Sequence, residues 1–227
     1  MDPKQVIQAR ANRKTRLARP FSNFAETFQQ CKAAGEAILQ GAIAPELTPL
    51  LERSAVISAV TAIEVYYRDI LDYSFRYCSP DFFLPHLKQL HPEKFDITEL
   101  LEMYRHQIHP LELVSSSQSF QNIDRIDRVF SKFMGKSLWD TIFKLKVRIK
   151  DSHETEVTWQ REDLDGLRRT FELRHELVHD PARRSFFTQS TLSDLWSAES
   201  MVFGSDVILS GILVEKRDPT HGPAGDA

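Results

Sequence analysis

Apolar residues recur at helical spacing along most of the chain. In TPLLERSAVISAVTAIEVYYRDILDYSFRY, residues 48–77, the positions Val56, Val60, Ile63, Tyr67 and Ile70 fall on one stripe of a helix. Thr48 reads as the N-cap and Pro49 as the first helical residue, where a proline sacrifices no hydrogen bond. This is the longest periodic segment, and it is expected to be the central helix. Before it, SNFAETFQQCKAAGEAIL opens on a Ser/Asn cap and continues in good helix formers. Shorter helices are expected near 82–90, 97–107, 120–134 and 138–146, divided by Pro80, Pro92, Pro110 and Gly135. A helix from about Arg161 ends at His179, because Pro181 disfavours helical backbone at Asp180. The last helix is expected over Thr191 to Leu213, behind a Ser190 cap. Only VRIKDSHETEVTW carries a strand pattern, and a weak one.

Amphipathic helices joined by short loops predict an all-α helical bundle. Strands do not alternate with helices, and no Gly-rich phosphate loop is present, so a doubly wound nucleotide-binding fold is not expected. The chain divides into a basic arm over 1–21, a single helical domain over 22–214 and a tail over 215–227. The arm holds Lys4, Arg10, Arg13, Lys14, Arg16 and Arg19 against only Asp2, and reads as a solvated segment. The tail, RDPTHGPAGDA after Glu215 and Lys216, has few apolar residues and is expected to be disordered.

Composition narrows the chemistry. Of 227 residues, 41% are hydrophobic and 27% charged, and the net charge of −3 confines any nucleic-acid surface to a local patch. Cys31 and Cys78 stand far apart without a C-x-x-C spacing, which excludes a thiolate metal site and fits a reducing compartment. No apolar run reads as long enough to span a bilayer, and residues 1–21 lack the apolar core of a secretory signal. A cytoplasmic location without membrane contact is the expectation. Ser115-Ser116-Ser117 has no His/Asp arrangement around it, and His106 and His109 read as surface or helix-end residues.

The densest chemistry is in LRHELVHD, residues 173–180. His175 and His179 are four residues apart, about 40° around a helix, and with Glu176 they spell the H-E-x-x-H zinc signature. A third ligand is needed. Glu199, twenty residues beyond His179, has the spacing of a glutamate-liganded zinc hydrolase, so His175, His179 and Glu199 form one candidate metal set. Against it, no edge strand is expected to hold a peptide substrate.

In the other frame, Arg174 precedes His179 by five residues. Leu164, Leu167, Phe171 and Val178 form the expected core stripe of this helix, and Leu173 and Leu177 a second one. Arg174 falls between the two, and a guanidinium in a partly apolar setting needs an anion, either a carboxylate such as Glu64 or a phosphate. On a regular helix Arg174 and His179 are about 140° apart and do not share a face. A loosened helix end, the length of the arginine, or two copies meeting at a symmetry axis would bring them together.

FELRHELVHD resembles the R-x4-6-H motif of the HEPN superfamily, the all-helical higher-eukaryote and prokaryote nucleotide-binding domains. SAVTAIEVYYRDIL is similar to the long helix of many prokaryotic members, and SSSQSFQNIDRIDRVFSKFMG to a linking segment of larger bacterial ones, so the resemblance covers about residues 50–214. It implies a metal-independent endoribonuclease, often a toxin or an anti-phage effector, with no cofactor. It also implies a homodimer whose two motifs build a composite site, with RNA as substrate and an antitoxin protein as a further partner. Carried over, Arg174 stabilises the scissile phosphate, His179 is the general acid/base, and His175 orients the phosphate or shares the proton transfer. Glu64 would stand behind Arg174 or Arg68, although an ordinary i,i+4 ion pair with Arg68 is the favoured reading of it. A silent dimerisation or RNA-binding domain is the alternative within the same resemblance. Arg168, Arg169, Arg183 and Arg184, and separately Lys144, Lys146, Arg148 and Lys150, are the expected phosphate-binding charges. Pro181 stands where some members carry a modifiable tyrosine, which argues against neutralisation by that route.

Overall fold

The computed structural model describes residues 19–90, 95–106, 108–148, 156–180 and 186–220. Among these the chain is almost wholly helical: α1 (Pro20–Leu39), α2 (Thr48–Tyr77), α3 (Pro80–Leu90), α4 (Ile97–Arg105), α5 (Pro110–Ser117), α6 (Ile123–Met134), α7 (Leu138–Ile142), α8 (Arg161–His179) and α9 (Gln189–Glu215). The expected strand pattern survives as one antiparallel ribbon, β1 (Val147–Arg148) against β2 (Glu156–Val157). The all-α expectation holds.

The central helix is α2. Val56, Val60, Ile63, Tyr67 and Ile70 are all buried, as the period predicted. Around them α1, α8 and α9 close a bundle, and Tyr67 packs against Phe120 and Phe130 at the far side. Tyr67 and Ser205 share a buried hydrogen bond of 2.8 Å, which satisfies both hydroxyls where α2 meets α9. The α8–α9 pair approaches closely at Gly166, where a Cβ would stand 2.5 Å from Cβ of Ser197. That contact needs the missing side chain.

Several details differ from the sequence reading, each for a local reason. α1 starts at Pro20, ahead of the Ser/Asn pair, because proline suits a first helical turn. The basic arm therefore gives way to helix before residue 21, and residues 1–18 lie outside the described ones. Thr48 does not cap α2; its hydroxyl donates back to Ala44 O at 3.2 Å. Thr188, and not Ser190, caps α9 through Thr191 N. The expected 120–134 helix begins only at Ile123, with Asn122 accepting from Arg125 N at 2.8 Å. The Ser-rich α5 was not expected; His109 starts it, Nδ1 accepting from Leu111 N at 3.2 Å. The first residues of the presumed tail are fastened, since Asp218 N donates to Tyr77 O at 2.8 Å and Arg217 bridges Cys78.

Two apolar surfaces also depart from expectation. By length and composition α9 could cross a membrane, with mean hydropathy 1.4 over its best window, contrary to the reading that no run is long enough. Here it packs in the bundle, burying Leu195, Ala198, Met201 and Val202 against its neighbours. On α4 the stripe Ile97, Leu100, Leu101 and Tyr104 faces outward, and the helix is held through Met103 and Ile108 with Phe95 and Leu113.

Candidate functional site

The RHELVH segment forms the last turns of α8, which is regular as far as His179. Asp163 starts the helix by accepting from Gln160 N at 2.9 Å. Its other end is finished by a residue the sequence reading missed. Arg53, from α2, donates to Leu177 O through Nη1 and to Asp180 O at 3.3 Å through Nη2. A cation at a helix C-terminus satisfies orphan carbonyls and complements the dipole. Nothing local in the sequence marks Arg53 for this, because its partners lie more than a hundred residues away.

The same turns settle which stripe of α8 packs. Leu177 is fully buried and Val178 is 47% exposed, so the expected core role of Val178 is corrected. Leu167 and Phe171 are buried as expected, while Leu164 and Leu173 are half-buried. The helix presents one broad apolar face from Leu167 to Leu177, and Val178 lies just outside it.

Arg174 sits on the edge of that face, half-buried, with its Nε enclosed and without a hydrogen-bond partner. Glu64 of α2 is the nearby anion, and Arg68 and Gln121 complete the cluster. Burial pushes the Glu64 carboxyl above the ordinary glutamate range, while Arg174, then Arg68, and a hydrogen bond from Gln121 oppose the shift. Glu64 thus stands between two guanidiniums, more than a simple pair with Arg68 one turn along α2.

A raised folded-state value means that Glu64 holds its proton more tightly when the chain is folded. Its contribution to stability is complete below the ordinary glutamate value and is lost as pH rises through the folded value. Glu64→Gln removes this dependence. Urea unfolding from about pH 4 to about pH 7 should show wild type losing stability relative to the variant as pH rises. A pH-independent difference would contradict the buried-carboxyl assignment.

His175 and His179 are both exposed, and their rings pack at 4.4 Å between centroids. They form an open imidazole pair, about 100° and 140° around the helix from Arg174. The geometry therefore brings Arg174 to Glu64 and His175 to His179, and leaves Arg174 and His179 on different faces of one regular helix. Val178, next in sequence to His179, is exposed, and Leu47 and Leu50 are exposed at the end of α2 that carries Arg53.

Glu199 is not part of this arrangement. Its carboxylate pairs with the buried Lys32 and accepts from Gln29 Nε2 at 3.0 Å, on the α1 side of α9. The α8–α9 register, fixed by Gly166 against Ser197 and by Arg169 on Asp194, sets Glu199 near the start of α8. His175 is about 17 Å of helix rise further on. Among the described residues no group of three His, Cys, Asp or Glu side chains could hold a metal ion. The two cysteines are buried, and burial pushes each thiol up to about 11, so neither offers a thiolate at neutral pH. Ser115 is buried and donates to Asp72 at 3.2 Å.

No family model, curated protein or solved structure matches the chain. The local geometry carries the functional argument.

Among the described residues, three of the flanking charges expected to bind phosphate are engaged with carboxylates. Arg169 grips Asp194 through Nε at 3.1 Å and Nη2 at 2.6 Å, and Arg168 pairs with Asp165. Lys146 is 3.5 Å from Glu156. Lys150, Arg183 and Arg184 lie outside the described residues.

Proposed function

We propose that the chain is a metal-independent endoribonuclease of HEPN type, active in the cytoplasm as a toxin or anti-phage effector. The observation that carries this reading is Arg174: a half-buried guanidinium with an enclosed, unbonded Nε, backed by Glu64, one turn from an exposed histidine pair. A guanidinium with an unused donor is suited to a phosphate oxygen, and it is held by a carboxylate that limits its freedom.

In the reaction, a histidine takes the proton from the RNA 2′-hydroxyl, whose oxygen attacks the adjacent phosphorus. The bond to the 5′-oxygen breaks, and that oxygen receives a proton from a second imidazole. The products are a 2′,3′-cyclic phosphate and a 5′-hydroxyl. Arg174 neutralises the charge that grows on the phosphoryl oxygens. His179 and His175 are suited to the proton transfers, histidine being the side chain that most readily exchanges protons near neutral pH.

Two copies complete the site in this reading. Arg174 and His179 diverge on one helix, so a phosphate held by Arg174 of one copy meets a histidine of the other across a two-fold axis. The exposed Val178, next in sequence to His179, supplies apolar contact for such an interface. An antitoxin that occludes the same end of α8 would silence both copies.

The test is cleavage of a labelled single-stranded RNA in excess EDTA. EDTA-resistant cutting that leaves cyclic phosphate ends, with the 2′-deoxy analogue intact, is the expected result. Cutting abolished by EDTA would contradict the mechanism. No cutting at all would leave a silent RNA-binding or dimerisation domain.

A further inference from the structure

Arg168, Arg169 and Lys146 are tied to carboxylates, whereas three other basic residues share one pocket wall. Arg125, Arg128 and Lys132 lie at positions i, i+3 and i+7 of α6, on one face of the helix. With Ser117, Gln118 and Ser119 from the end of α5, they line a polar pocket of about 250 Å³. Among the described residues no carboxylate lines it. Burial, and after it the neighbouring Arg128, push the Lys132 ammonium below the usual lysine range. The wall is fixed: Lys132 Nζ donates to Gln89 O at 2.9 Å and Gln118 Nε2 to Leu90 O at 3.0 Å. Such a pocket holds like charges together at an electrostatic cost that an anion relieves.

The pocket is next to the Arg174 cluster through one short loop. Ser119 lines the pocket, and Gln121, two residues on, hydrogen-bonds Glu64. Two residues of extended chain span at most about 7 Å. Between them Phe120 is fully buried, stacked on Phe130 at 5.9 Å, which anchors the loop. One short loop thus joins the wall of the basic pocket to the Glu64–Arg174 cluster.

We propose that the Arg125–Arg128–Lys132 pocket binds backbone phosphates of a single RNA strand flanking the scissile bond. Its polar lining of serine and glutamine hydroxyl and amide groups suits phosphate and sugar oxygens, and nothing in it reads a base. Identifying the strand as RNA rests on the ribonuclease reading.

The test uses the full chain and Arg125→Gln/Arg128→Gln, which leaves Lys132 in its clasp on Gln89. Binding of a labelled RNA of about 20 nucleotides, 2′-O-methylated so that it cannot be cut, is titrated against salt. At about 0.7 per single-strand phosphate contact, the slope of log K on log salt should fall by about 1.4, with affinity near physiological salt down on the order of tenfold. Arg125→Lys/Arg128→Lys, which keeps the charges, should restore the slope. Cleavage of a dinucleotide with a single phosphate should proceed at the wild-type rate in both variants, because that substrate does not reach the pocket. An unchanged slope in the Gln variant overturns the inference and leaves the ribonuclease reading intact. A reduced slope in a protein that cuts no RNA supports the pocket and removes the ribonuclease. Wild type that binds no RNA overturns both.

Discussion

His179→Ala should cut RNA about 10²- to 10⁴-fold more slowly than wild type, the span that a positioned general acid or base contributes. The side chain is exposed at the end of α8 and touches His175, so its removal opens no cavity and the fold should survive unchanged. Arg174 needs a gentler change, because deleting it would strand the half-buried Glu64. Arg174→Lys keeps the positive charge beside that carboxylate and loses the planar fork. It should slow cleavage by about 10²- to 10³-fold, the loss typical of one donor to a developing charge. The split between kinetic constants is diagnostic. If Arg174 acts mainly in the transition state, kcat falls with KM nearly constant. If His179→Ala and Arg174→Lys both cut at the wild-type rate, the motif is an ordinary helix end and the proposed mechanism fails. Mixing the two inactive variants adds a test of the composite site. Two copies that share residues across a two-fold axis would regain part of the activity in the mixed dimer, whereas self-contained sites would not.

The regular parts of this molecule were legible because their signal is local. The stripe from Val56 to Ile70 has a single apolar face, and one period fixes what is buried. α8 was harder. It offers two apolar stripes about a third of a turn apart, and only the way α2 lies on it decides that Leu177 enters the core and Val178 does not. α5 was missed because Pro110–Ser117 is short and ends in three serines, a composition that reads as loop. The start of α6 moved to Ile123 because Phe120 is drawn into the core by Tyr67 and Phe130 instead of extending the helix.

For the candidate site, the sequence carried the residue types and the structure carried their company. The spacing of Arg174, His175 and His179 was readable, as was the divergence of Arg174 from His179 on a helix. For Glu64 the sequence favours a local pair with Arg68 one turn along the helix, and the company of Arg174 and Gln121 needed the loop before α6. Arg53 had no signal at all, since its partners are carbonyls of a distant helix end. The basic pocket was hidden for the opposite reason. Arg125, Arg128 and Lys132 look like the solvated face of an amphipathic helix, and only Gln89 and residues 117–119 turn that face into a recess.

Glu199→Ala should cost about 3–5 kcal/mol of stability, the usual consequence of leaving one partner of a buried ion pair behind. Lys32 is 1% exposed, and its ammonium is held by the Glu199 carboxylate and lies 3.2 Å from the Trp196 ring centroid. A desolvated cation–π contact contributes on the order of 2 kcal/mol, less than the charge partner supplies, so Trp196 offsets only part of the loss. Urea unfolding should show a lowered midpoint with an unchanged slope. Lys32→Met/Glu199→Leu removes both charges and keeps the volume, and it should recover most of the stability, since desolvation of the pair is removed along with its attraction. The same variants bear on the two readings of RHELVH. Because Glu199 is committed to Lys32 near the start of α8, the double variant should cut RNA at the wild-type rate well below its unfolding temperature. A zinc hydrolase with Glu199 as its third ligand would lose both metal and activity on that substitution. Intact EDTA-resistant cutting in a stable protein lacking Glu199 would therefore leave Arg174 and the histidine pair as the chemistry of this helix.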